Sequence, residues 1–174
     1  MEEQDVDEDE MWNGLKEALD GACVQFVKAR ETEGEKLRDD LTGKLDAMKA
    51  LVEKIEERSP QILSEYRANL EEKVRELLAD TQIEESRIAA EVVIFADKIC
   101  TDEELVRLKS HIDHMRATLL TGEGIGRKLD FIAQEMNREA NTILSKANDL
   151  TVSNYGIDLK TEIEKVREQI QNIE

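Results

Sequence analysis

Apolar residues return every three or four positions through most of this chain. Trp12, Leu15, Leu19, Ala22 and Phe26 begin the pattern, and after Gly34 it resumes as Leu37, Leu41, Leu45, Met48, Val52 and Ile55. That period matches the turn of an α-helix and predicts one very long helix, bent near Gly34. Ser59 and Pro60 then offer an N-cap hydroxyl followed by a proline at the first helical position, so the helix is expected to end there and the chain to turn back. Leu63, Tyr66, Leu70, Val74 and Leu77 form a narrow seam on the returning helix, the pattern of an antiparallel hairpin.

Later segments read as shorter helices. Residues 83–99 are rich in Ile, Val, Phe and Ala and are expected to be wrapped by neighbours. Thr101 and Glu104 have capping-box spacing, which starts the next helix at about Asp102. Gly122, Gly124 and Gly126 mark a loop before a helix over 127–149; without a preceding strand or a Lys-Ser/Thr ending they do not make a phosphate loop. Ser153-Asn154-Tyr155-Gly156 reads as a turn, and Leu159, Ile163, Val166, Ile170 and Ile173 as a last amphipathic helix. The predicted fold is therefore all-α: an acidic disordered tail over 1–10, a long antiparallel helical hairpin arm over 11–80, and a compact helical bundle over 81–174.

Composition supports this reading. One proline, eight glycines and 3% aromatics suit long helices and deprive a sheet of the residues it prefers. Cys23 and Cys100 stand far apart and match no metal-ligand spacing, which points to a reducing compartment. No apolar run approaches the roughly 20 residues a membrane span needs, so a cytoplasmic protein with no membrane partner is expected. The net charge of −17 opposes binding to phosphate polymers. Its distribution changes that picture, because residues 107–146 carry seven basic against five acidic side chains.

Candidate chemistry concentrates in the same stretch. On a helical wheel Leu129, Ile132, Ala133, Met136, Ala140, Ile143, Leu144 and Ala147 share one face, while Arg127, Asp130, Phe131, Gln134, Arg138, Asn141, Thr142 and Ser145 share the other. A solvated face is usually Glu and Lys; this one has arginine forks for phosphate, amides for base edges and a ring for stacking. A polar helix interface would use the same groups. Glu135 and Glu139, one turn apart, are spaced to share a divalent cation, or are compensated by Arg138 and Lys146 on a wet surface. Between 102 and 119, Glu104, Arg107, His111 and Thr118 align, and His111 can act as general acid or base. His111 and His114 lack companions for a structural metal site, and Arg87, Glu91 and Lys98 fit either an ion-paired contact or an active site.

Several strings together resemble one family. Glu33-Gly34 with Leu37, Arg87 with Glu91, Ala96-Asp97-Lys98, Glu103-Glu104-Leu105 with Arg107-Leu108 and His111, Gly126-Arg127-Lys128-Leu129-Asp130-Phe131, Gln134 through Thr142, Ser145-Lys146 and Arg167 through Glu174 resemble the YicC-like endoribonucleases. The resemblance runs from about Trp12 onward and lacks the family's N-terminal domain. It implies a metal-dependent endoribonuclease of bacterial cytoplasm, using Mg²⁺ or Mn²⁺ and no other small-molecule cofactor, assembled as a homo-oligomer, a hexamer. On that footing His111 handles protons, Arg127 and Arg138 serve the catalytic centre and grip phosphate, and Glu135 with Glu139 binds the metal. Arg107, Lys128, Gln134, Asn141 and Lys146 hold RNA. Two positions depart from the family: Cys100-Thr101 follows Asp97-Lys98, and Leu144 stands where a glycine is usual. The competing reading is a non-enzymatic oligomeric helical scaffold or protein-interaction module, in which the polar stripe would pack on a sister helix.

Overall fold

The computed structural model describes residues 7–78, 84–122 and 124–173. Its regular elements are five helices: α1 Glu8–Leu78, α2 Glu85–Ile99, α3 Asp102–Leu119, α4 Gly126–Lys146 and α5 Leu150–Ile170. The all-α class read from the periodicity is what the chain adopts. No helix among the described residues is long and apolar enough to cross a membrane. Most of the acidic opening run, residues 1–6, lies outside the described residues, while Glu8 to Glu10 form the first turn of α1.

The expected reversal at Pro60 does not occur, because α1 continues through the proline. Proline removes one backbone donor and crowds the carbonyl four residues earlier, at a cost of about 3 kcal/mol in a helix interior. Side chains bridge the fault. Arg58 donates to Gln61 at 3.2 Å and to both carboxylate oxygens of Glu65 at 2.6 and 2.7 Å. Ser59 donates its hydroxyl back to the Ile55 carbonyl at 2.9 Å instead of capping a new helix. The hairpin seam at Tyr66 finds α2 instead of the earlier part of α1: the Tyr66 and Phe95 rings stack at 3.7 Å, and Arg67 pairs with Glu85 at 3.3 Å. Residues 79–83, between these helices, lie outside the described residues.

The chain divides into two compact units, one through Asp40 and one from Leu41. In the first, Met11, Trp12, Leu15, Leu19, Val24, Phe26 and Val27 are all more than half exposed. In the second, Leu41, Leu45, Met48, Val52 and Ile55 are fully buried, so this part of α1 supplies a core stripe. Its antiparallel neighbour is α3, as ion pairs of Glu56 with Lys109 at 2.6 Å, Lys49 with Asp113 at 3.6 Å, and Asp46 with Arg116 show. Helix α4 packs on both α3 and α5. Arg58 closes the four-helix arrangement by donating to Asp149, at 2.8 Å, at the start of α5. Burial of each large aliphatic side chain here contributes about 1.5–3 kcal/mol.

Three local expectations are corrected. Helix α2 is not wrapped: Phe95 is its buried residue, and Val93 and Ile94 are more than half exposed. Thr101 makes no side-chain cap bond. The Ser153–Gly156 stretch is helical, because Asp149 caps α5 by accepting from the Val152 amide at 3.0 Å. Gly156 serves packing rather than a turn; a Cβ there would lie 2.6 Å from the Leu144 side chain. The bulk of Leu144 on α4 is thus taken up by the missing side chain on α5.

Glu104, expected in a capping box, instead crosses to α4. It is buried, and one oxygen accepts from Lys146 at 2.8 Å. Burial opposes its charge, but the Lys146 ammonium, its own backbone amide and Arg107 outweigh that and hold the carboxyl below its ordinary range. Arg58 acts likewise on Glu65 and, with the α5 amides, on Asp149.

Two outcomes follow. Pro60→Ala should raise the melting temperature, by an amount equivalent to about 2 kcal/mol after allowing for the looser unfolded chain; a fall would show that α1 needs the proline. Lys146→Ala should cost about 1–2 kcal/mol at neutral pH, discounted for the partial exposure of Lys146. A carboxylate with a depressed folded pKa contributes stability above its unfolded pKa of about 4.3 and loses it as pH falls through the folded value. The Lys146→Ala deficit should therefore shrink in urea titrations carried down towards pH 3.

Candidate nucleic-acid interface

What α4 buries decides what it shows. Leu129, Ile132, Ala133, Met136, Ala140 and Ile143 are buried. Helical geometry then turns Arg127, Phe131, Gln134, Arg138, Asn141 and Ser145 outward, and all six are exposed. Phe131 is 62% exposed and the Arg138 side chain 76%. The two-faced reading of this helix agrees with its burial pattern except at Asp130 and Thr142 of the polar face and Leu144 and Ala147 of the apolar one, which are half-buried; Glu139, beside the polar stripe, is buried.

The flanks of the stripe differ. On the α3 side stand Glu135, Glu139 and Lys146. Arg107 lies 3.9 Å from Glu139 and is also bonded to Glu103, while Arg138 lies 3.9 Å from Glu135. Lys146 is committed to Glu104. His111 is half-buried on α3, one turn beyond Arg107; the antiparallel register set by the Glu104–Lys146 and Arg107–Glu139 pairs brings it level with the Glu135 turn. His114 is exposed. No cluster of three or more His, Cys, Asp or Glu side chains placed to hold a metal occurs among the described residues. Arg87, Glu91 and Lys98 lie on α2, outside the α3–α4–α5 face, and Arg87 and Glu91 are exposed.

On the α5 side the stripe is preset by hydrogen bonds. Asp130 accepts from Gln134 at 2.7 Å through one oxygen and from Arg167 at 3.2 Å through the other. Asn137 donates to Glu164 at 2.8 Å. Thr142 and Ser145 donate their hydroxyls to carbonyls of their own helix, at 3.2 and 2.8 Å. Arg127 and Lys128 are exposed and make no ion pair with the described residues. Arg167 is the residue that sequence reasoning passed over: it stands in the string Arg167-Glu168-Gln169, but its link to Asp130, 37 positions away, exists only in the folded chain.

Gly126, at the start of α4, closes the arrangement. A Cβ there would lie 2.6 Å from the Ile173 carbonyl, so the close approach of backbone to backbone requires glycine. It brings the Gly126-Arg127-Lys128 string against the end of the chain, joining two motifs that are far apart in sequence.

Comparison with known proteins matches this assembly. A family model described as "Endoribonuclease YicC-like, C-terminal" covers residues 55–174, which include α2 to α5. A curated relative from Clostridioides difficile (strain 630), "Probable endoribonuclease YicC", is 45% identical over 175 residues, spanning all of this chain and 60% of the relative. A protein of the same name from Haemophilus influenzae (strain ATCC 51907 / DSM 11121 / KW20 / Rd) is 35% identical over 174 residues, with the same coverage. The chain thus spans 60% of the length of these relatives. With its helical bundle and its outward motif helix both accounted for, the chain belongs to the YicC-like endoribonuclease family.

Proposed function

We propose that this chain is the RNA-binding and RNA-cleaving helical part of a YicC-like endoribonuclease, and that α4 is its working surface. One observation carries the reading: in a protein of net charge −17, the outward face of α4 combines Arg127, Arg138, Phe131, Gln134 and Asn141, all exposed. A surface meant only for solvent would be Glu and Lys, as the exposed Glu53, Lys54, Glu56 and Glu57 of α1 are. Arg127 and Arg138 are three turns apart, about 16 Å along the helix, a separation suited to phosphates two or three nucleotides apart on one strand. Lys128 adds a phosphate contact, and Gln134 and Asn141 orient the strand. Arg107 borders the same surface across the α3–α4 line.

Glu135 and Glu139 are the donors for a divalent cation. Two carboxylates on successive turns, with water and phosphate oxygens completing the shell, are a donor set of the kind Mg²⁺ and Mn²⁺ accept. Bound there, the cation would polarise a phosphate oxygen or a water. Arg107 and Arg138 stand beside these carboxylates and offset their charge against the approaching strand. His111, level with this turn, exchanges the proton with the attacking or leaving oxygen. Lys146 acts through Glu104, holding α3 against α4 beneath the surface.

The exposed apolar stripe of α1 before Asp40 supports assembly into a homo-oligomer, since such a stripe left in water favours association. The scaffold alternative would place a sister helix over the α4 face.

Labelled structured RNA incubated with this chain should be cut in the presence of Mg²⁺ or Mn²⁺ and spared in EDTA, with Glu135→Gln reducing cutting at least tenfold. Arg127→Ala and Arg138→Ala should each weaken RNA binding, most strongly at low salt, and lower the salt slope by about one unit, with melting temperature nearly unchanged. A large drop in melting temperature with intact RNA affinity would remove the arginines from the interface. Light scattering should find an oligomer at high micromolar concentration; monomer throughout would refute assembly through α1.

A further inference from the structure

We propose that Phe131, Gln134 and Asp130 of α4, together with Arg167 of α5, form a binding site for a single unpaired nucleobase. The proposal rests on the RNA-binding reading above and names what the enzyme holds beside the phosphate grip: a base out of the helical stack. Three observations converge on it. Phe131 is the exposed aromatic ring of the stripe, with 62% of its surface open, one turn from Gln134. An aromatic ring in water has little reason to face outward on an otherwise polar surface, and base stacking is the contact that uses its face. Next, Gln134 is oriented by a hydrogen bond, its Nε2 donating to Asp130 at 2.7 Å. That bond leaves its carbonyl oxygen and its second N–H for a base edge. Last, Arg167 donates through Nε to the other oxygen of Asp130 at 3.2 Å, so the same carboxylate sets a planar guanidinium from α5 beside the amide.

Arg127 and Arg138, one turn to either side, serve the flanking phosphates, and the charges on the α5 side of the site favour a base over a further phosphate. Along α5 the adjoining groove presents Lys160, Lys165 and Arg167 against Glu164 and Glu168, and Asp130 adds a further negative charge. A phosphate gains little from so nearly balanced a surface, whereas a neutral heterocycle meets no repulsion and finds donors and acceptors of both kinds. Duplex RNA keeps its base faces stacked and inaccessible, so the site selects single-stranded segments, loops or bulges. Asp130 is a positioning residue: it touches no base itself and acts by fixing Gln134 and Arg167.

The test compares wild type, Phe131→Leu and Asp130→Ala in titrations with a fluorescent single-stranded RNA of about 12 nucleotides, the same strand annealed to its complement, and inorganic polyphosphate. Phe131→Leu should bind the single strand roughly tenfold more weakly, with unchanged affinity for duplex and polyphosphate and an unchanged salt slope, because stacking releases no counterions. Asp130→Ala separates positioning from charge by the sign of its effect. Removing a carboxylate should tighten RNA binding if only electrostatics operate, and weaken single-strand binding if Asp130 presets the site. Melting curves confirm that both variants fold. If the wild type binds single strands while Phe131→Leu matches it and Asp130→Ala binds more tightly, the base site is overturned and the RNA reading stands. Failure of the wild type to bind any RNA overturns both. A change in oligomer size with Phe131→Leu, at unaltered RNA affinity, would instead make Phe131 a contact between protein chains and overturn the base site.

Discussion

The rotation of α4 about its own axis is the constraint on which the surface chemistry depends. Leu129, Ile132, Met136, Ala140 and Ile143 are held in a core that α3, α5 and residues 41–55 of α1 share. Side chains along a helix are spaced by about 100° per residue, so a slip of one position would carry Phe131, Gln134 and Arg138 towards a neighbour and bring apolar groups to the surface. Burial of the inner face therefore positions the outer face, although no outward residue contributes to the core. The contact of Leu144 with Gly156 adds to this registration on the α5 side.

Electrostatics act at two scales. The whole chain is strongly acidic, which discourages nonspecific association with phosphate polymers. Locally, many of the cations are already engaged: Arg58 with Glu65 and Asp149, Arg107 with Glu103, Lys146 with Glu104, Arg116 with Asp46. These pairs fasten helices to one another or to themselves. The cations on the outward face of α4 are engaged far less, Arg138 only at 3.9 Å from Glu135. The outward face of α4 thus keeps basic groups that are not already neutralised, which is what the proposed RNA contact requires of it.

Arg58 shows how one side chain can settle a topological question. Read locally, Ser59-Pro60 is a helix stop. In the folded chain the guanidinium spans the proline to Gln61 and Glu65 while also gripping Asp149 at the start of α5. The helix is carried across its weak point by a residue whose third partner is 91 positions away, and the reversal expected at Pro60 is lost.

Periodicity alone determined that the chain is helical, which residues of α4 face inward, and which polar groups remain outside, because a 3.6-residue repeat of apolar positions leaves a helix one way to bury them. Its motifs also carried the family. Tertiary structure decided what depends on partners distant in sequence. The Glu104 carboxylate crosses to Lys146 instead of capping its own helix, Glu139 faces Arg107 rather than solvent, and Asp130 joins Gln134 to Arg167. In each case a side chain had a local option and a long-range one of similar strength. A hydrogen bond contributes only about 1 kcal/mol, so the choice fell to whichever partner the packed core had already brought within reach.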